Sequence, residues 1–357
     1  MLKKISILII LVSICMVFAC KDDSVITPTL CETPSGTSKD CSSLKGIAKI
    51  VCLSENLKAE LCAAQQATVQ LDYTAANAKK WSNLPVTMVA RLGMRLGDMN
   101  AKQLAAAKAL LQEILGTSAN EGFAEYNQLL AADTYLFNNG GGSAYGEGQY
   151  YIAFLGTPSM TETWQIQTGG HHLAVSITFK NGAVTGATPS FRAIEPFDAF
   201  TSNGASVQPM LQEQKAFSAM LSGLSTTELA SAKLSTSFGD IVLGPGKDGQ
   251  FPTTKLGVKV GTLDAAKKKL VLEAIKTYVN DTKDDEATKI LAQYTTELDD
   301  TYISYTGTTG MTTKGDYVRI DGPSVWIEYN SQGGIVLSGQ HPHSVWRDRK
   351  GDYGGSF

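Results

Sequence analysis

The chain has 357 residues, of which 43 % are apolar and 18 % charged. That composition supports a packed core and excludes global disorder. A formal net charge of −3 excludes the basic footprint of a nucleic-acid binder.

The N-terminus reads as a targeting segment. Lys3 and Lys4 precede an apolar run from Ile5 to Phe18, broken only by Ser6 and Ser13. The run is short for a membrane span and sits where a secretory signal belongs. It ends in Val17-Phe18-Ala19-Cys20, which resembles the bacterial lipobox. The resemblance implies cleavage before Cys20, acylation of its thiol and a stable membrane anchor. An ordinary signal peptide with an incidental Cys is the plainer alternative. Lys21-Asp22-Asp23 resembles the lysine-plus-two-acids export signal of bacterial surface lipoproteins. The expected location is therefore the lipid-anchored cell envelope, at the outer membrane and its surface. Losing Lys3 and Lys4 with residues 1–19 moves the formal charge from −3 to −5.

A tether follows over residues 20–41, rich in Ser, Thr, Pro, Asp and Lys. Cys31, Cys41, Cys52 and Cys62 are separated by 9, 10 and 9 residues. An even set in an exported chain predicts two disulfides. The symmetric spacing suits a stapled helical hairpin over residues 42–84. Cys31–Cys62 with Cys41–Cys52 is the preferred pairing, and the other two pairings remain open.

Residues 85–357 read as one main domain. Asn100 can N-cap a helix, with Gln103 at N3 and Met99 and Leu104 as a hydrophobic staple. Leu104, Ala107, Leu111, Ile114 and Leu115 continue the apolar stripe, and Gly116 is placed to end it. Asn138 to Ala144 is a glycine-rich loop. Strands are expected over 149–155 and 173–179, the second alternating about Leu173, Val175, Ile177 and Phe179 before an Asn181-Gly182 turn. Ser225 to Glu228 repeats the capping box, Asp264 starts a third helix, and a fourth covers Asp285 to Leu298. The similar starts are read as recurring capping chemistry, without a duplication. Val325, Ile327 and Tyr329 alternate in a late strand, with Glu328 expected on the surface. Gln332-Gly333-Gly334 is expected to turn into a strand bearing Ile335 and Leu337. Helices and strands fall in blocks. The predicted class is α+β, a largely antiparallel sheet with several amphipathic helices and an N-terminal Cys-rich helical segment.

All four histidines fall in two short motifs, Gly170-His171-His172-Leu173 and Gln340-His341-Pro342-His343. Neutral imidazole is the commonest side-chain metal ligand. On a strand, His341 and His343 share one face, about 7 Å apart along the chain. If the other motif is regular strand, only one of His171 and His172 joins them. His172 is slightly preferred, and His171 stays open. Structural hydrogen bonding is the competing reading.

The neighbours look like a supporting set. Arg347 is a candidate clamp for a carboxylate or phosphate. Asp348 is a candidate to orient an imidazole. Glu195, before Pro196, is a candidate metal ligand or general base. A plain Arg347–Asp348 pair and a solvated Glu195 are the bland counterparts.

Phe154-Leu-Gly-Thr-Pro158, Trp164, Gly170-His171-His172-Leu173, Pro189-Ser-Phe191, Glu195-Pro196, His341 to Asp348 and Asp352-Tyr353-Gly354 together resemble a bacterial family called domain of unknown function 3500. The resemblance covers roughly residues 85–354, with the cysteine segment outside it. It implies one fold unit with a histidine site, and no established reaction.

The sequence thus predicts an exported lipoprotein with a divalent metal, zinc or copper, at its histidines. The expected partners are a membrane, through the anchor, and a small-molecule or polymer ligand. One function is a metal-dependent hydrolytic or redox enzyme using Glu195, Arg347 and Asp348. The alternative is a non-catalytic metal- or ligand-binding surface lipoprotein. A structural or adhesive protein is a third.

Overall fold

In the computed structural model, residues 34–357 are described. The leader, Cys20, Cys31 and the tether up to residue 33 lie outside them. The helix starts follow their caps. Asn100 Oδ1 accepts from the backbone N–H of Lys102 and Gln103, both at 3.0 Å, and opens helix Ala101–Ile114. Ser225 caps Thr226–Ala232 and Asp264 caps Ala265–Val279. Helix Asp284–Thr296 occupies the fourth expected position. Among the described residues no helix is long and apolar enough to cross a membrane.

The Cys41–Cys52 disulfide ties the chain to helix Gly46–Glu60, with Cα atoms 5.9 Å apart. Cys62 is also disulfide-bonded. Ile47, Ile50 and Leu57 of that helix share one core with Leu110, Leu111 and Ile114. The N-terminal segment therefore packs into the main body.

Eight strands form the centre of a largely antiparallel sheet. They are β1 Tyr151–Leu155, β2 Trp164–Gly170, β3 Leu173–Lys180, β4 Ser190–Ala193, β5 Tyr302–Thr306, β6 Tyr317–Asp321, β7 Val325–Gly333 and β8 Gln340–Asp348. Across the sheet they run β1-β2-β3-β4-β8-β7-β6-β5. The fold is α+β, as the blocks of periodicity predict.

That order is a palindrome, and the registers show why. Tyr151 faces Gly169, which faces Ala174, which faces Phe191. In the second half Tyr302 faces Asp321, then Trp326, then Arg347. Outside the sheet centre the match continues. Gly93, at φ 87°, would drive a Cβ to 2.1 Å from Ile152 O, and Gly257, at φ 105°, to 2.1 Å from Ile303 O. Only glycine permits those two approaches. Cys62 and Ser225 head matching capping boxes. Gln70 then runs parallel to Phe154, as Lys233 does to Tyr305. The chain is an internal duplication, which the sequence reading did not assign. Its pseudo-two-fold axis passes through the paired residues Ser190 and Trp346.

One face of the sheet carries the helices. Loops and the short helix Ala75–Ala78 cover the other, through a second core that includes Ala78, Trp81, Phe191, Val345 and Tyr353. Both faces are therefore buried, and Glu328 is fully inside, not on the surface. Its carboxylate accepts from Val242 N–H, Leu243 N–H, Tyr317 Oη–H and Trp326 Nε1–H, at 2.6 to 2.8 Å. Four donors offset the cost of burying that charge.

Candidate metal centre

The first histidine motif is the tight turn between β2 and β3, not regular strand. His172 adopts φ 63°, a left-handed conformation that costs a residue with a Cβ about 1 kcal/mol. The turn is held from several sides. His172 N–H donates to Asn83 O at 3.2 Å, and Ala193 N–H donates to His172 O at 2.8 Å. Tyr150 Oη–H donates to His171 O at 2.6 Å. A strained, over-determined backbone of this kind marks functional sites.

The second motif opens β8, where alternation places His341 and His343 on one face. β8 lies next to β4, and His343 pairs with Ala193, the residue bonded to His172 O. The register thereby delivers both motifs to one point. His341 Nε2 lies 2.8 Å from His172 Nε2 and 3.1 Å from His343 Nε2. The ligand atoms of these three residues all lie within 4.8 Å of one another. His171 stacks on His172 with ring centroids 3.5 Å apart. It stands outside the three-nitrogen cluster.

Carboxylates stand behind the rings. His343 Nδ1 is 2.9 Å from Asp240 Oδ1, and Gln332 Nε2 lies 3.0 Å from the same nitrogen. His171 Nδ1 is 2.6 Å from Asp133 Oδ1. Glu195 Oε2 is 3.9 Å from His341 Nδ1. At His343 the Asp240 carboxylate can accept an Nδ1 proton and so turn the Nε2 lone pair toward the centre, whereas His341 Nδ1 makes no hydrogen bond among the described residues. Burial, followed by the neighbouring imidazoles His171, His341 and His343, holds His172 well below the ordinary imidazole range. Burial first, then the neighbouring imidazoles His343 and His171, push His341 down to about 3. Both rings are neutral and ready to coordinate.

Glu195 has a second task. Its Oε1 accepts backbone N–H bonds from Ile335, Val336 and Leu337 at 2.7, 2.8 and 2.6 Å. This explains why Ile335 and Leu337 do not form the expected strand. Their donors go to a carboxylate, and the segment wraps around it as a loop. Gly334 permits the wrap, since a Cβ there would lie 2.8 Å from Glu195 Oε1.

Arg347 and Asp348 are not brought to this centre. Arg347 lies on the histidine face of β8 but about 13 Å along the strand from His343. Its Nε donates to Asp352 at 2.8 Å, Nη2 to Asp248 at 2.6 Å and Nη1 to Leu243 O at 3.2 Å. All three of its nitrogens are engaged. Asp348 points to the opposite face, where Tyr294 Oη–H donates to it at 2.7 Å. The sequence reading missed Asp133 and Asp240. Asp133 left a trace, an acid among Leu129, Leu130, Ala132 and Leu136 on a buried helix face. Asp240 lies in a loop and left none.

A second acidic group, Glu121, Glu125 and Glu213, also has the spacing to hold an ion. Arg192 already bonds there, with Nη1 at 3.0 Å from Glu125 and 2.9 Å from Glu213.

A family model described as "Protein of unknown function (DUF3500)" matches residues 44–355, a span that takes in Cys52 and Cys62. No curated protein and no solved structure matches the chain.

Proposed function

The chain belongs to the DUF3500 family of proteins of unknown function, and from that premise we propose that it is an exported lipoprotein using His172, His341 and His343 to bind one divalent transition-metal ion. The observation that carries this reading is the meeting of three Nε2 atoms, backed by carboxylates at two of the three rings. Three lone pairs 2.8 and 3.1 Å apart repel unless a proton or cation lies between them. A tetrahedral ion with arms of 2.0–2.1 Å spaces its ligands by about 3.3 Å, within easy reach of these rings. Imidazole donors suit zinc or copper.

Three protein ligands leave one tetrahedral position for water or substrate, the pattern of catalytic sites. The proposed activity is accordingly metal-dependent, hydrolytic or redox. A bound zinc would lower the pKa of its water to about 7, and copper would supply redox chemistry. Asp240 holds the Nδ1 proton of His343. Glu195 supports His341 and anchors the loop beside it. His171, set by Asp133, packs against His172 and keeps its ring in place. One observation favours the non-catalytic alternative: the three rings are only 3 to 6 % exposed. Slow metal release without turnover would identify capture.

The address rests on the leader and lipobox residues. Acylation of Cys20 would place the site at the outer membrane, exposed to a small-molecule or polymer ligand, with no nucleic-acid partner. Cys20→Ser should release the protein into the soluble fraction, and a variant still membrane-bound contradicts the anchor.

Elemental analysis of untagged protein tests the centre. About one zinc or copper per chain is expected, and His341→Ala should lose it. Protein that purifies without metal and binds neither ion on titration overturns the reading.

A further inference from the structure

A cavity of about 310 Å³ lies between helix Asp284–Thr296 and the end of β8, lined by Thr185, Ala187, Tyr294, Trp346, Asp348 and Gly351 among others.

We propose that this cavity is a second binding site, for a neutral sugar residue. Its volume is at the lower end for small-molecule sites, with room for one or two rings. Its polar groups are mainly acceptors. Asp348 Oδ2 receives Tyr294 Oη–H at 2.7 Å, while Oδ1 receives the N–H of Lys350 and Gly351 at 2.8 and 2.7 Å. Trp346 Nε1–H donates to Tyr294 Oη at 3.2 Å and is thereby spent. Gln293 directs its Nε2 to Ser324 Oγ at 3.0 Å, leaving its carbonyl oxygen to accept. The lysines are paired, Lys289 with Glu286 at 2.8 Å and Lys350 with Glu297 at 3.4 Å. Remaining lone pairs call for a ligand rich in O–H donors. Asp348 opposes an anion, and the polar lining opposes a purely apolar ligand. Neutral polyhydroxylated rings meet both conditions.

This site does not depend on the metal reading. Saturation-transfer NMR and calorimetry on the mature protein would use glucose, galactose, N-acetylglucosamine and their β-1,4-linked dimers. At least one should bind with a dissociation constant near or below about 1 mM, and glucose 6-phosphate at least tenfold more weakly. Thr185 and Gln293 are exposed at the rim, where substitution spares the core. Thr185→Trp and Gln293→Ala should each weaken binding tenfold or more, and His343→Ala should leave it unchanged. No binding by any of these sugars at about 10 mM overturns the proposal. So does binding that ignores both rim variants, or that His343→Ala abolishes.

Discussion

His172 and His341 stand 169 residues apart in the chain and bring their Nε2 atoms to 2.8 Å. The contact joins the β2–β3 turn of one half to β8 of the other. It exists because β4 and β8 are neighbours at the pseudo-two-fold axis. The candidate metal centre is thus a property of the duplicated fold, and neither half carries it alone.

Asp240 should matter to metal affinity without being a ligand. It accepts the Nδ1 proton of His343, and such outer partners are typically worth about 10- to 100-fold in affinity. Asp240→Asn should weaken zinc binding by that range in a competitive chelator titration. Far-UV circular dichroism should not change. Unaltered affinity would mean that His343 needs no orienting partner.

Glu195 should act on both the loop and the centre. Glu195→Ala removes the acceptor of three backbone N–H groups and the acid behind His341. The expected result is fast hydrogen exchange over Ile335–Leu337 together with weaker metal binding. Glu195→Gln keeps one oxygen for the loop and should restore protection more fully than affinity. Exchange that stays slow in the alanine variant would count against the anchor.

Removing the Cys41–Cys52 bridge should destabilise the protein by about 2–3 kcal/mol, the scale for a short closed loop. Urea denaturation of the Cys41→Ser/Cys52→Ser double variant measures it. A change under about 0.5 kcal/mol would show that the bridge adds little to the helix packing beneath it.

Glu213 should make stability fall as pH rises from about 4.5 to 7. Burial, aided by Asp281 and opposed by Arg192, pushes its carboxyl up from 4.5 to about 7. Within that window the folded chain holds a proton that the unfolded chain has released, so folding weakens with rising pH. The effect is at most about 3 kcal/mol. Glu213→Gln should flatten that part of the pH profile in urea unfolding at pH 5 and pH 7.5. An unchanged slope would place the titration on another acid of the cluster.

Local chemistry was legible in the sequence. Asn100, Ser225 and Asp264 cap helices because a cap needs only its own first turn. The i, i+2 spacing put His341 and His343 on one face because strand alternation is local. The α+β class followed from the order of the periodic blocks, while the symmetric cysteine spacing only preferred Cys41 with Cys52, and the fold made that bond. What the tertiary structure decided depends on distant partners. Sheet register chose His172 over His171, since the turn and its left-handed φ place only one ring at the centre. It also carried Arg347 and Asp348 away, because loop acids and a helix tyrosine claim them first. Glu328 is buried because loops from elsewhere cover its face, which no local pattern encodes. The duplication was hidden because its halves conserve register and close backbone approaches, while the side chains around them have diverged.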